Sequence, residues 1–158
     1  MKVLKRTGQC ALAIIVSLGA GALGSLATVP NIPTWYAGLD KPPLLPPNEV
    51  FGPIWSVLYV MMGVALFLVW IANEKKTKQT YLSYGVQLAL NTLWSFVFFG
   101  LHSPWVGLGV IVLLLAAIVW TMREFAKVSK PAMWLLVPYL AWVSFATYLT
   151  IGVAILNS

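Results

Sequence analysis

Two kinds of residue in this chain could do chemistry: its eight tryptophans, and a few polar side chains set inside long apolar runs. An indole presents a flat apolar face and one N–H donor, so it suits the stacking of a flat aromatic ligand. It is also readily oxidised, so it can donate an electron to an excited ligand. Trp55, Trp94 and Trp142 stand inside apolar segments, Trp142 about 15 Å deep at 1.5 Å per helical residue. A buried indole N–H needs an acceptor or a ligand, so these three either line a cavity or pack in a core. Trp70, Trp105, Trp120 and Trp134 fall near segment ends, as does Trp35, at the depth that favours an amphipathic ring. Trp35 also belongs to a loop that is itself a candidate site.

Gln87, Asn91, Trp94, Ser95 and Phe98 recur at offsets of zero, four, seven, eight and eleven, which is one face of a helix. Amides in hydrocarbon turn inward, where they either tie helices together or meet a ligand. Trp55 and Tyr59 share a face of one apolar segment. Tyr139, Trp142, Ala146 and Leu149 share another, beyond the kink that Pro138 imposes. Aromatic walls with a small residue between them make a slot for a flat apolar ligand, and the two faces are expected to meet across one pocket, with Ala146 leaving the room. Asp40 and Lys41 are the one charged pair of the loop, serving either the site or the loop itself.

Other chemistry is missing. There is no carboxylate pair, Ser-His-Asp set, glycine-rich phosphate loop or HExxH motif. One cysteine, Cys10, excludes an internal disulfide and a thiolate cluster, and one histidine, His102, excludes a bis-histidine haem site. No metal site and no required cofactor are expected.

The elements that must position these residues are long and apolar. Of 158 residues 60% are hydrophobic and 9% charged, against about 25% charged in a soluble domain, so the chain belongs in a lipid bilayer. The expected fold is an all-α integral membrane bundle, one domain over 1–158, with spans at about 8–29, 48–72, 79–100, 104–124 and 132–156. The first span could instead be a cleaved signal peptide. Ala13, Ser17, Gly21 and Ser25, with Ala20, Gly24 and Thr28, form small-residue stripes that favour a retained, closely packed helix. Residues 30–47 form a long loop stiffened by Pro42-Pro43 and Pro46-Pro47, and such loops serve as lids. Asn48 is a candidate N-cap, or Gly52-Pro53 marks the start of regular helix; Ser103-Pro104 reads as cap plus first-turn proline. Nine of ten basic residues fall on one side of a five-span topology and Lys41 alone on the other. This predicts a cytoplasmic N-terminus, with the loop and C-terminus outside. The basic residues form no stripe for nucleic acid. Gly85 and Ala89, four apart, offer a seam for a homodimer.

Three stretches carry a family resemblance: WYAGLDKPPLLPPNEVFGPIWSVLY (residues 35–59), QLALNTLWSFVFFG (87–100) and VPYLAWVSFATYL (137–149). Together with five spans and a long first loop, they resemble the TspO/MBR family of translocator and tryptophan-rich sensory proteins, over nearly the whole chain. The resemblance implies a five-helix bundle, often dimeric, with a pocket under the first loop that takes porphyrin or haem-like ligands. It implies a bacterial member in the cell membrane, with porphyrin as ligand or as substrate of light-dependent degradation. The reacting tryptophans match Trp55 and Trp142. The ligand-binding set it suggests adds Trp35, Tyr36, Lys41, Pro42, Phe51 and Phe145 to Tyr59, Gln87, Asn91, Trp94, Phe98, Tyr139, Ala146 and Leu149. A role in stress response or tetrapyrrole regulation, or as a carrier of porphyrins, sterols or other lipids, is also implied. The C-terminal aromatic-basic motif attributed to sterol binding is not matched here, since Thr150 to Ser158 hold no aromatic or basic residue.

Overall fold

A computed structural model describes residues 2–158. It contains α1 (Lys2–Asn31), a 3-10 turn (Tyr36–Gly38), α2 (Asn48–Ile71), α3 (Lys78–Ser95), α4 (Pro104–Ala126), α5 (Lys130–Leu135) and α6 (Val137–Leu156). The last turn of α3 runs on as a π-helical stretch, Phe96–Gly100. Counting α5 and α6 as one broken span, five helices among the described residues are long and apolar enough to cross a membrane. Successive spans alternate in direction, which defines a loop end, carrying residues 32–47, and a basic end, carrying Lys75, Arg123 and Lys127.

The helices begin and end where local chemistry directs. Thr77 and Thr80 make a reciprocal capping box at the start of α3. Ser103 and Pro104 stand at the N-cap and first turn of α4, with no side-chain bond from the cap. At α2 the cap position falls to Pro47, with Asn48 already helical, and Pro53 lies inside the helix. Pro47 is extended and Val50 N–H closes the first bond to Pro47 O at 3.1 Å, so the helix starts at residue 48 as expected, but with Pro47 rather than Asn48 at the cap, and regular helix is under way before Gly52-Pro53. Pro138 breaks the fifth span near Leu136, as a missing N–H requires.

Small residues set the spacing. The backbone of Ile14 lies directly over Gly63, Tyr59 packs its ring on Gly21, and Ser95 sits against Gly24. Ser17 and Tyr84 hydroxyls meet at 2.5 Å, and Thr92 Oγ1 donates to Ala20 O at 3.0 Å. These contacts hold α1 to α2 and α3, the close approach that small side chains permit in lipid. Around the ring α2 continues to α5 at the basic end, α5 and α6 to α4, and α4 to α3. Because the break at Leu136 turns α6 onto α4, α2 packs on α5 but leaves α6. The gap between the diverging helices is at the loop end.

Candidate functional site: an aromatic cavity at the loop end

The gap is a cavity of about 660 Å³, within the range of about 300–1,000 Å³ that small-molecule sites occupy. From α2 come Phe51, Trp55 and Tyr59; from α3 and its π-helical end come Asn91, Trp94, Ser95, Phe98 and Phe99; from α6 come Trp142, Ala146 and Leu149. Tyr36 closes the top from the 3-10 turn, and Gly21, Ser25 and Thr28 of α1 complete the side. The two faces read from the sequence, Trp55 with Tyr59 and Trp142 with Ala146, therefore look into one space.

The rings are fixed by one another. Trp55 stacks on Tyr59 at 5.7 Å between centroids and meets Tyr139 edge-on at 6.4 Å. Phe51 is edge-on to Trp142 at 5.7 Å, and Trp94 stacks on Phe98 at 5.3 Å. These spacings and angles are those the ring quadrupole favours. The indole N–H groups of Trp94 and Trp142 are buried and have no hydrogen-bond partner among the described residues.

Beneath the cavity lies a polar cluster in which every hydroxyl and amide is paired. Tyr59 OH donates to Asn91 Oδ1 at 2.5 Å, Asn91 Nδ2 to Tyr139 OH at 2.8 Å, and Tyr139 OH to Gln87 Oε1 at 2.8 Å. Gln87 Nε2 reaches Met62 Sδ at 3.8 Å. Gln87 and Tyr139 are fully buried there and do not line the cavity. Of the two readings open for the amides, Gln87 takes the helix tie, whereas Asn91 belongs to the cluster and to the cavity floor.

Four other sequence candidates also lie off the cavity. Trp35 stacks on His102 at 4.6 Å, while His102 Nε2 is 2.8 Å from Asn31 Oδ1. Phe145 is tilted behind Trp142 towards Tyr148. Pro42 is buried against Gly152 of α6. Lys41 donates to Leu39 O at 2.9 Å and Ala37 O at 3.4 Å, with its ammonium 4.8 Å from the centre of the Tyr36 ring. Burial raises the pKa of the Tyr36 phenol above its ordinary value, so it stays neutral under this cation at physiological pH. Pro42 and Lys41 belong to the segment that carries Tyr36 over the cavity. Asn157 brackets Asp40, accepting from its N–H at 2.9 Å and donating to its carbonyl at 2.8 Å, and Tyr148 OH donates to Pro43 O at 2.9 Å.

The α1 residues of the wall were missed by sequence reading. Gly21, Ser25 and Thr28 carry a small-residue signal that reads as helix packing; these three of the seven stripe residues line the cavity, and Gly21 also packs under Tyr59. Phe99 was missed because the π-helical turn shifts it out of α-helical register, so it joins Phe98 and Tyr36 in one cluster.

Fold and site thus define a class, a helical integral membrane protein with an aromatic-walled cavity under its first loop. The profile of the TspO/MBR family matches residues 12–156, and the chain belongs to that family. It is 46% identical over 149 residues to tryptophan-rich protein TspO of Chlorobaculum tepidum, covering 93% of this chain and 94% of the relative. It is 40% identical over 161 residues to tryptophan-rich protein TspO of Archaeoglobus fulgidus, covering all of both. The human translocator protein is 41% identical over 118 residues, 73% of this chain and 70% of its own length.

Proposed function

We propose that this chain binds a tetrapyrrole, protoporphyrin or a haem-like ring, in the loop-end cavity, and that light degrades the bound ring with Trp55 and Trp142 as the reacting indoles. The observation that carries the reading is that both indoles line one largely apolar cavity of small-molecule size. Dioxygen is the oxidant; an indole at contact distance donates an electron to the excited ring or meets the reactive oxygen formed. His102 is engaged with Trp35 and Asn31 away from the cavity, so binding rests on stacking and apolar burial and accepts the metal-free ring. The residues around Pro42 act as the lid, latched to α6. The N-terminus is cytoplasmic in the cell membrane, with the lid and C-terminus outside, and a second copy docks through the α3 face that bears Gly85 and Ala89. A reporter fused after Ser158 should read as outside.

The test is to titrate purified protein with protoporphyrin in the dark and then illuminate it in air. Saturable binding followed by loss of the porphyrin spectrum faster than in protein-free detergent is expected. Absence of saturable binding overturns the reading, and binding without faster loss removes the enzymatic half. A carrier role has one observation of its own: the cavity reaches Leu18 and Val29 of α1, both exposed on the face that meets lipid. Net flux of porphyrin across proteoliposomes in the dark would support it.

A further inference from the structure

The polar cluster forms the floor of the cavity, and the exposed part of its lining at the start of α2, its mouth, carries one charge. Glu49, in the first turn of α2, is exposed there beside Asn48 and Gly52. Of the described residues that line the cavity, it alone is charged, and it has no ion pair among the described residues. Lys41, the one cation of the loop, makes no ion pair with it: its ammonium donates to two carbonyls of its own turn and lies on the Tyr36 ring, outside the cavity lining. Every other basic residue of the described spans lies at the basic end, roughly 36 Å away along a helix of 24 residues. That is several times the screening length of about 8 Å at physiological salt. At the floor, Tyr59 and Asn91 have committed their polar atoms to each other and to Tyr139, so the floor offers nothing to a charged group. A flat ring that carries charge must therefore hold its charged edge at the mouth, beside Glu49.

We propose that Glu49 sets the charge preference of the site, so that it favours flat apolar ligands whose polar edge is cationic or neutral over ligands that present carboxylates there. This rests on the reading that the cavity binds a flat ring. It makes protoporphyrin, with its two propionates, a ligand held against a like charge. A glutamate at a helix N-terminus also complements the helix dipole, but that role is blind to the charge of a ligand, which gives the two roles different readouts.

The experiment uses one ring in three charge forms: protoporphyrin IX, its dimethyl ester, and its bis-amide ending in trimethylammonium groups. Dark affinities are compared within each variant, so a general change in the site cancels. In the parent protein the cationic form should bind tightest and the diacid weakest, with about a twofold to fivefold step per form, the size of exposed charge pairs. Glu49→Gln should flatten the order and Glu49→Lys should reverse it; raising the salt should shrink the steps. The same order in the parent and in Glu49→Gln, or a parent that binds the diacid tightest, overturns the proposal while leaving the cavity as the site. Filling the slot with Ala146→Trp separates the two levels. If no form binds, or all bind as well with the slot filled, the site reading itself falls and the charge preference with it.

Discussion

The cavity wall and the polar cluster beneath it are built from the same material, aromatic rings with polar handles, and they differ in what happens to the handles. In the cluster Tyr59, Asn91, Tyr139 and Gln87 pair every hydroxyl and amide across three helices. On the wall the indole N–H groups of Trp94 and Trp142 have no partner among the described residues, and small residues, Gly21 and Ala146, leave space beside the rings. Below the floor a polar atom without a partner would face only apolar groups, which is expensive. Saturated polar atoms make a joint; unsaturated ones beside empty space make a site. The comparison can be broken from either side.

The largest effect should come from the cluster. Asn91→Leu removes two of its bonds and strands the hydroxyl of Tyr59, while Tyr139 keeps only its bond to Gln87. Interhelical hydrogen bonds in membranes average about 0.6 kcal/mol and reach about 1.7, so a loss of about 1–3 kcal/mol of unfolding free energy is expected in bicelles or detergent. A loss below about 0.5 kcal/mol would mean that the cluster is not a joint.

Next comes the wall. Trp55→Phe or Trp142→Phe keeps a stacking ring and removes the oxidisable indole. Protoporphyrin affinity should change by less than about tenfold, or 1.4 kcal/mol, while light-driven loss of its spectrum falls by at least about that factor. If both variants degrade the ring at the parent rate, the wall binds and does not react.

How much of this was legible beforehand divides along the same line. The spans were legible because stretches of 18 or more largely apolar residues with few charges have few other uses, and the small stripe on α1 announced close packing, which Gly21 under Tyr59 and Gly24 against Ser95 then show. Trp55 with Tyr59, and Trp142 with Ala146, were legible as single faces because helical period aligns them; the resemblance, not the period, paired the two faces. Gln87 and Tyr139 were grouped with the site because their partners come from other helices, and one sequence does not say whether a buried amide will be satisfied. The divergence of α6 from α2 was not legible as a cavity either: Pro138 predicts a break but not its direction, which the packing of α5 and α6 on α4 decides.

A smaller effect should come from the roof. Pro42 is buried on Gly152, and the segment is held by Asn157 and Tyr148. Replacing Pro42 and Pro43 with glycine leaves the helices in place and loosens the lid, by about 0.4–1 kcal/mol per proline released. Porphyrin affinity should fall by that amount while helical content by circular dichroism is unchanged. Unaltered affinity would detach the roof from the site.

The smallest effect is the sharpest test. Trp94 and Asn91 are neighbours on one helix face, both touch the cavity, and both carry an N–H donor, so only pairing distinguishes them. Trp94 stacks on Phe98 and meets Phe99 edge-on at 5.8 Å, and phenylalanine at 94 can keep both contacts. The change removes some ring area, a loss, and a buried donor without a partner, a gain, since leaving such a group unsatisfied costs about 1–3 kcal/mol. The two terms oppose, and one side of the indole already borders the cavity, so less packing is there to lose. Trp94→Phe should therefore shift unfolding free energy by less than the low end of the range for Asn91→Leu, about 1 kcal/mol. The measurement belongs in the same bicelle assay as Asn91→Leu. A loss equal to that of Asn91→Leu would show that the indole N–H is paired in the membrane, by lipid or water, and the contrast between wall and cluster would fail at its closest point.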